Sequence, residues 1–112
     1  PGISSGALKM IRHKIKTEWR LKGRISESLE VIAKEVNPKI RGWINYYGHH
    51  RRSDLYELAY MINNYLARFI KKKSKVIKTW DQAWKYLLKV KADKPETFSH
   101  WHMISPSKRR AV

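Results

Sequence analysis

The chain contains no cysteine, which excludes disulfide bonds, thiolate metal ligands and thiol nucleophiles. Acidic residues are scarce as well, with 9 Asp and Glu against 25 Lys and Arg, so the net charge is +16 with neutral histidines. No apolar run approaches the roughly 18 residues that a membrane-spanning helix needs. Because 112 residues with 42% hydrophobic content can fill one core, we expect a single domain. The absence of cysteine is compatible with a reducing compartment, and we expect a cytoplasmic location.

The imbalance between the two signs of charge indicates a polyanionic partner. Solvated protein faces usually mix both signs, so abundant charge on its own does not explain this excess. Phosphates relieve the self-repulsion of a basic protein and release their own counterions on binding. An anionic membrane surface offers the same complementarity, but we expect a nucleic acid and not a membrane.

The first amphipathic segment runs from about Ser5 to Lys22, and Gly23 is placed to end it. Its apolar residues, at the spacing of one helical face, are Leu8, Ile11, Ile15 and Trp19. A second stripe beside them, here called the basic ridge, consists of Lys9, Arg12, Lys16 and Arg20. The pattern predicts a helix with a buried seam and a continuous row of cations next to it.

The middle of the chain predicts two short helices that meet at a kink. Ser26 is placed to cap the first of them, and Asn37-Pro38 interrupts it, because proline lacks a backbone donor and restricts the residue before it. The second contains Ile40 and Trp43 on one face and stops at Gly48.

The second half of the chain predicts two longer helices and a final packed turn. Ser53 opens a helix whose seam is Leu55, Leu58, Ile62, Leu66 and Phe69, with Asn63, Asn64 and Arg68 nearer the other side. Thr79 and Gln82 have the spacing of a capping box for a helix whose inward residues are Trp80, Trp84, Leu87 and Leu88. Phe98 and Trp101 are predicted to form the last turn.

Taken along the whole chain, these segments predict an all-α, small antiparallel bundle of about four to five helices over residues 1–101, followed by a mobile basic tail at 102–112.

Catalytic and metal-binding motifs are not evident. Most of the few carboxylates fall just after probable helix starts, and no Gly-rich phosphate loop, nucleophile elbow or paired-acid motif is present. His49-His50 and His100-x-His102 lack the i, i+4 spacing of a helical metal site, so we interpret them as polar surface or nucleic-acid contacts. Tyr46 and Tyr60 lie off the apolar faces, where rings can stack on bases.

The block from Asn37 to Gly48, Asn-Pro-Lys-Ile-Arg-Gly-Trp-Ile-Asn-Tyr-Tyr-Gly, strongly resembles the maturase-specific domain of group II intron reverse transcriptases. The resemblance continues through Ser53-Asp54-Leu55-Tyr56 and the tryptophan-bearing helix to Phe98-Ser99-His100-Trp101, and covers about 4–101. It implies a thumb-like domain, also called domain X, that follows the polymerase fingers and palm. In that family the domain grips intron RNA and the template-primer duplex, and supports splicing and reverse transcription.

The resemblance also implies that this chain binds and does not catalyse. The Tyr-x-Asp-Asp motif, whose acids bind magnesium in the polymerase, is absent, so we expect a fragment that needs no cofactor. We expect its parent to be an RNA-directed DNA polymerase with magnesium in the polymerase domain. The predicted RNA-binding residues are Lys9, Arg12, Lys16, Arg20, Arg41, Tyr46, Arg51, Arg52, Arg68, Lys71, Lys72 and Lys73.

Two alternatives remain open from the sequence. A free-standing basic helical protein can place a helix in the major groove of DNA. A structural protein can use its tryptophans and tyrosines to bind a protein partner. Binding to a folded intron RNA, an unrelated structured RNA and duplex DNA distinguishes these possibilities.

Overall fold

Five α-helices account for most of the described residues, which are 4–48 and 55–104 of a computed structural model. They are α1 (Ser5–Lys14), α2 (Leu29–Tyr47), α3 (Leu55–Lys73), α4 (Trp80–Asp93) and α5 (Ser99–Met103). A π-helical segment, Ile15–Trp19, and a 3₁₀ turn, Leu21–Arg24, lie between α1 and α2. The all-α class and the number of helices are confirmed.

The helices pack around one hydrophobic core. α3 packs along α4, α5 packs on α2, and the 3₁₀ turn contacts α3. At the C-terminal end α5 continues to Met103, and Ile104 is buried. The boundary between a domain at 1–101 and a basic tail stays a prediction, and residues 105–112 lie outside the described part of the chain.

The first amphipathic segment buries the predicted seam but does not stay α-helical. Leu8, Ile11, Ile15 and Trp19 are all buried. The prediction of one helix ending at Gly23 is wrong, because the helical geometry changes at Ile15 and the chain turns at Arg20, where φ is 50°. The reason lies further along the chain, since the Arg24 guanidinium donates from Nη1 to the Trp19 carbonyl oxygen at 3.2 Å.

α2 is one continuous helix and not two helices meeting at a kink. Ser28, and not Ser26, caps it by accepting a hydrogen bond from the Val31 amide. Pro38 lies inside the helix. The Asn37 side chain, at the predicted interruption, donates from Nδ2 to the Thr97 carbonyl at 2.9 Å and accepts from the Ser99 amide at 2.8 Å. Asn37 therefore ties α2 to the segment that enters α5.

The predicted seam of α3 is buried throughout, and Thr79 with Gln82 forms the predicted capping box of α4. The inward face of α4 is narrower than predicted. Ala83 and Leu87 face the core one turn apart, which leaves Trp80 and Leu88 exposed and Trp84 half-buried. Trp84 packs against the core and against Trp80 and Tyr60, with ring centroids at 5.9 and 5.5 Å. The prediction that Trp80 and Leu88 pack inward is therefore wrong.

A buried polar cluster joins α3 to α5. Asn63 Oδ1 accepts a hydrogen bond from Trp101 Nε1 at 2.9 Å and lies 2.7 Å from His100 Nε2. Because an indole nitrogen can only donate, the Asn63 atom is the carbonyl oxygen, and His100 must also donate to it. His100 Nδ1 is then an unprotonated atom, buried without a hydrogen-bond partner among the described residues.

This cluster corrects two predictions. Asn63 is 8% exposed and His100 is 1% exposed, so neither lies on the surface. Burial, with smaller contributions from the charges of Lys91 and His102, lowers the pKa of His100 to about 3. His100 is therefore neutral at physiological pH, and its ring serves packing and hydrogen bonding within the core.

Candidate nucleic-acid interface

An open pocket of about 420 Å³ lies where the π-helical segment and the 3₁₀ turn meet α3. Its floor is apolar, since Ile15 and Phe69 are buried there and Leu21 and Tyr65 are half-buried. Five cationic side chains complete the lining, and we call the whole feature the basic pocket. They are Lys16, Arg20, Lys22, Arg68 and Lys72.

The backbone at Arg20 explains how cations from the first half of the chain reach this pocket. Arg20 has φ 50° and ψ 47°, the left-handed conformation, and is the only non-glycine with positive φ among residues 4–48 and 55–104. This conformation costs an L-residue about 1–2 kcal/mol. It ends the π-helical segment and starts the 3₁₀ turn, so Lys16, Arg20 and Lys22 line the same pocket.

Arg24 holds this turn against α2 without contributing to the pocket lining. Its Nε and Nη2 atoms donate to Glu27 Oε1 at 3.0 and 2.7 Å, and Nη2 also donates to Glu35 Oε1 at 2.7 Å. These hydrogen bonds raise the pKa of Arg24, and the bond with Glu27 contributes more than the bond with Glu35. The hydrogen bond from Arg24 in turn lowers the pKa of Glu27. Both carboxylates are thereby paired with Arg24, which does not line the basic pocket.

The other paired carboxylates also neutralise cations outside the basic pocket. Glu18 pairs with Lys39 and Lys14, and the hydrogen bond from Lys39 lowers the pKa of Glu18. Glu30 pairs with Lys94, and Asp81 pairs with Lys85. No carboxylate of the described residues forms an ion pair with a cation of the basic pocket. The positive charge of the basic pocket is therefore left uncompensated by these acids.

A shallower depression of about 400 Å³ continues this surface along α3. It shares Arg68 and Lys72 with the basic pocket and adds Lys71 and Lys78. Exposed cations from the first half of the chain and from α3 thus form one surface. Lys9 and Arg12, the first members of the basic ridge, are exposed on α1 in the turns before Lys16.

Three further predicted contact residues that the structure describes do not line the basic pocket. Arg41 is on α2 and donates from Nη1 to Ser99 Oγ at 3.2 Å. Tyr46 is 72% exposed and meets Tyr47 edge-on, with ring centroids 4.8 Å apart.

The Lys73 ammonium donates to the carbonyl oxygens of Ile25 and Glu27, both at 2.9 Å, so it ties α3 to the segment that leads into α2. Arg51 and Arg52 lie outside the described residues. RNA contact by any of the predicted residues stays a prediction.

Lys22 and the four residues of the apolar floor, which include Tyr65, were not predicted as site residues from the sequence. Lys22 lies beyond the basic ridge, and its position depends on the left-handed turn at Arg20. Tyr65 is three residues before Arg68 on α3, and the Arg68 Cζ atom lies 5.4 Å from its ring centroid. An aromatic residue one helical turn from an arginine is a local signal that could have identified this pair.

Comparison with known proteins gives one family. The family model for the group II intron maturase-specific domain matches residues 8–87, which is more than half of the chain and includes the whole lining of the basic pocket. No curated protein and no solved structure matches the chain. Among the helices that the structure describes, none is long and apolar enough to cross a bilayer. The chain belongs to the group II intron maturase-specific domain family.

Proposed function

We propose that this chain binds structured intron RNA through the basic pocket and the adjoining cations of α1 and α3. The observation that carries the proposal is the convergence of Lys16, Arg20, Lys22, Arg68 and Lys72 on one surface without a carboxylate partner among the described residues. Phosphates would contact these side chains, and the arrangement favours recognition of RNA shape over sequence.

The finer role follows from the family. We infer that the domain supports intron splicing, and that it grips the template-primer duplex beside the fingers and palm of a parent polymerase. In this proposal the chain supplies contacts in the cytoplasm, and magnesium-dependent polymerisation belongs to the parent's polymerase domain. Membership of a maturase-specific family and the exposed cations support this role.

The test measures RNA affinity at a series of salt concentrations for two variants, each of which has lost two lysines. The pocket variant carries Lys16→Gln and Lys72→Gln, and the control carries Lys34→Gln and Lys89→Gln, which removes two exposed lysines elsewhere. Each lysine that contacts a phosphate contributes about 1 to the slope of log affinity against log salt. We expect the pocket variant to lose about 2 from the slope for a folded group II intron RNA, and the control to lose far less.

Three results of these measurements would contradict the proposal. Equal losses in both double variants would mean that the positive charge acts without a defined site. A flat salt response of the wild-type chain would exclude phosphate contacts of the proposed number, since 6 to 10 contacts reduce affinity by about 10³ to 10⁵ between 50 and 200 mM salt on duplex DNA. Preference for duplex DNA over both structured RNAs would support the DNA-binding alternative.

A further inference from the structure

The basic pocket differs from the rest of the cationic surface because it has depth and an apolar floor. Phosphates alone require only exposed cations, such as those of the basic ridge. Buried Ile15 and Phe69 with half-buried Leu21 and Tyr65 instead offer carbon surface at the base of an open pocket. A ligand that complements it combines an apolar part with a negatively charged part.

From this combination we infer that the basic pocket binds a single unpaired nucleotide of an RNA strand, with the base against the apolar floor and the phosphates against the surrounding cations. This inference rests on the proposed RNA-binding function and specifies what that surface recognises. Paired bases are stacked within a helix, whereas bases in bulges, loops and ends can leave it and stack on protein side chains.

The pocket holds the side chains that such a nucleotide needs. Nucleobases stack on aromatic rings and on guanidinium groups, and Arg68 and Tyr65 present both, with Arg68 Cζ 5.4 Å from the Tyr65 ring centroid. A volume of about 420 Å³ falls within the range of about 300–1,000 Å³ that is typical of small-molecule sites. Cations stand on both sides, with Lys16, Arg20 and Lys22 on one side and Lys72 on the other.

The two sides of the pocket also come from separate parts of the chain. Lys16 to Lys22 belong to the π-helical segment and the turn after it, whereas Tyr65 to Lys72 belong to α3. A strand that follows the cationic surface therefore passes between two rows of positive charge at the point where the apolar floor is open. This geometry places the backbone phosphates before and after the bound base next to cations.

The experiment compares a stem-loop RNA carrying one bulged uridine with the same stem fully paired. Base stacking on protein rings contributes a factor of about 5 to 150 in affinity. We expect the wild-type chain to prefer the bulged stem by a factor in this range. Tyr65→Leu should abolish the preference. Tyr60→Leu, on the same helix but outside the pocket, is the matched control and should retain the preference.

A second measurement does not depend on any variant. A photoreactive iodouridine at the bulge, irradiated in the wild-type complex, should cross-link within Ile15–Lys22 or Tyr65–Lys72. Equal affinity for bulged and paired stems, or a cross-link confined to other segments, would overturn the nucleotide site and leave the proposed RNA-binding function standing. Loss of the preference in Tyr60→Leu and not in Tyr65→Leu would overturn it too. Failure to bind either stem at low salt would overturn both proposals.

Discussion

The neutral, buried His100 makes the stability of the domain dependent on pH. Its pKa is about 3 in the folded chain against an ordinary value of 6.5, so between these values the unfolded chain binds a proton that the folded chain does not. The contribution of His100 is complete above about pH 6.5 and is lost as the pH falls towards 3. The loss approaches about 1.4 kcal/mol per pH unit.

We expect His100 to remove about 2 kcal/mol from the free energy of unfolding between about pH 8 and pH 5. Urea denaturation followed by tryptophan fluorescence measures this quantity at each pH. The reference is His100→Gln, which keeps an amide that can donate to Asn63 and does not titrate. Glu18 and Glu27, whose pKa values lie below their ordinary 4.5, are present in both proteins, so their titration cancels in the comparison.

The difference between the two pH profiles isolates the histidine, because every other titratable group is present in both proteins. His100→Gln should be less stable at about pH 8, since the smaller amide fills the site less well. Its stability should then fall by about 2 kcal/mol less than that of the wild-type chain on acidification. Parallel profiles would refute the reasoning, because they would mean that His100 titrates alike in the folded and unfolded chains.

Two further predictions concern backbone geometry and the tether between α2 and α5. In urea denaturation, Arg20→Gly should have a free energy of unfolding about 1 kcal/mol higher than Arg20→Ala, because glycine adopts the left-handed conformation without a steric cost. Equal stabilities would argue against φ 50° at this residue. Since both variants lose the same cation, their RNA affinities should fall alike. Asn37→Ala should cost about 1–3 kcal/mol in thermal or urea denaturation, because it leaves the part-buried Ser99 amide and Thr97 carbonyl unpaired. Asn45→Ala, an exposed residue of the same helix, should change stability by less than about 0.5 kcal/mol, and similar losses in both variants would contradict the tether.

Helical periodicity was the most reliable signal in this sequence. The seams of α1 and α3 could be predicted because each buries one face against a single core. The capping box of Thr79 and Gln82 could be predicted because both partners lie within four residues. In each case the physical cause is local, and the neighbouring residues therefore carry it.

Two of the wrong predictions have a different cause, which is a partner distant in the chain. Asn37-Pro38 has the local pattern of a helix boundary, yet α2 continues through it, and the Asn37 side chain has its hydrogen-bond partners near α5, about 60 residues away. His100 was interpreted as surface because its partner, Asn63, lies on α3.

The candidate site shows the same division between local and distant causes. Lys16, Arg20, Arg68 and Lys72 could be selected as exposed cations from helical spacing alone. Their convergence could not be predicted, because it depends on the left-handed turn at Arg20 and on how that turn meets α3. The apolar floor was missed for this reason, since Phe69 belonged to a predicted seam and Leu21 to a predicted helix end.

The two-sided construction of the basic pocket has a consequence for the timing of synthesis. Residues Ile15–Lys22 leave the ribosome well before Tyr65–Lys72, so a nascent chain exposes one row of cations long before the opposite row and the floor of α3 exist. Such a chain carries part of the positive charge but has no pocket. In the proposed function, selective binding of RNA therefore begins only once α3 has been made and has packed.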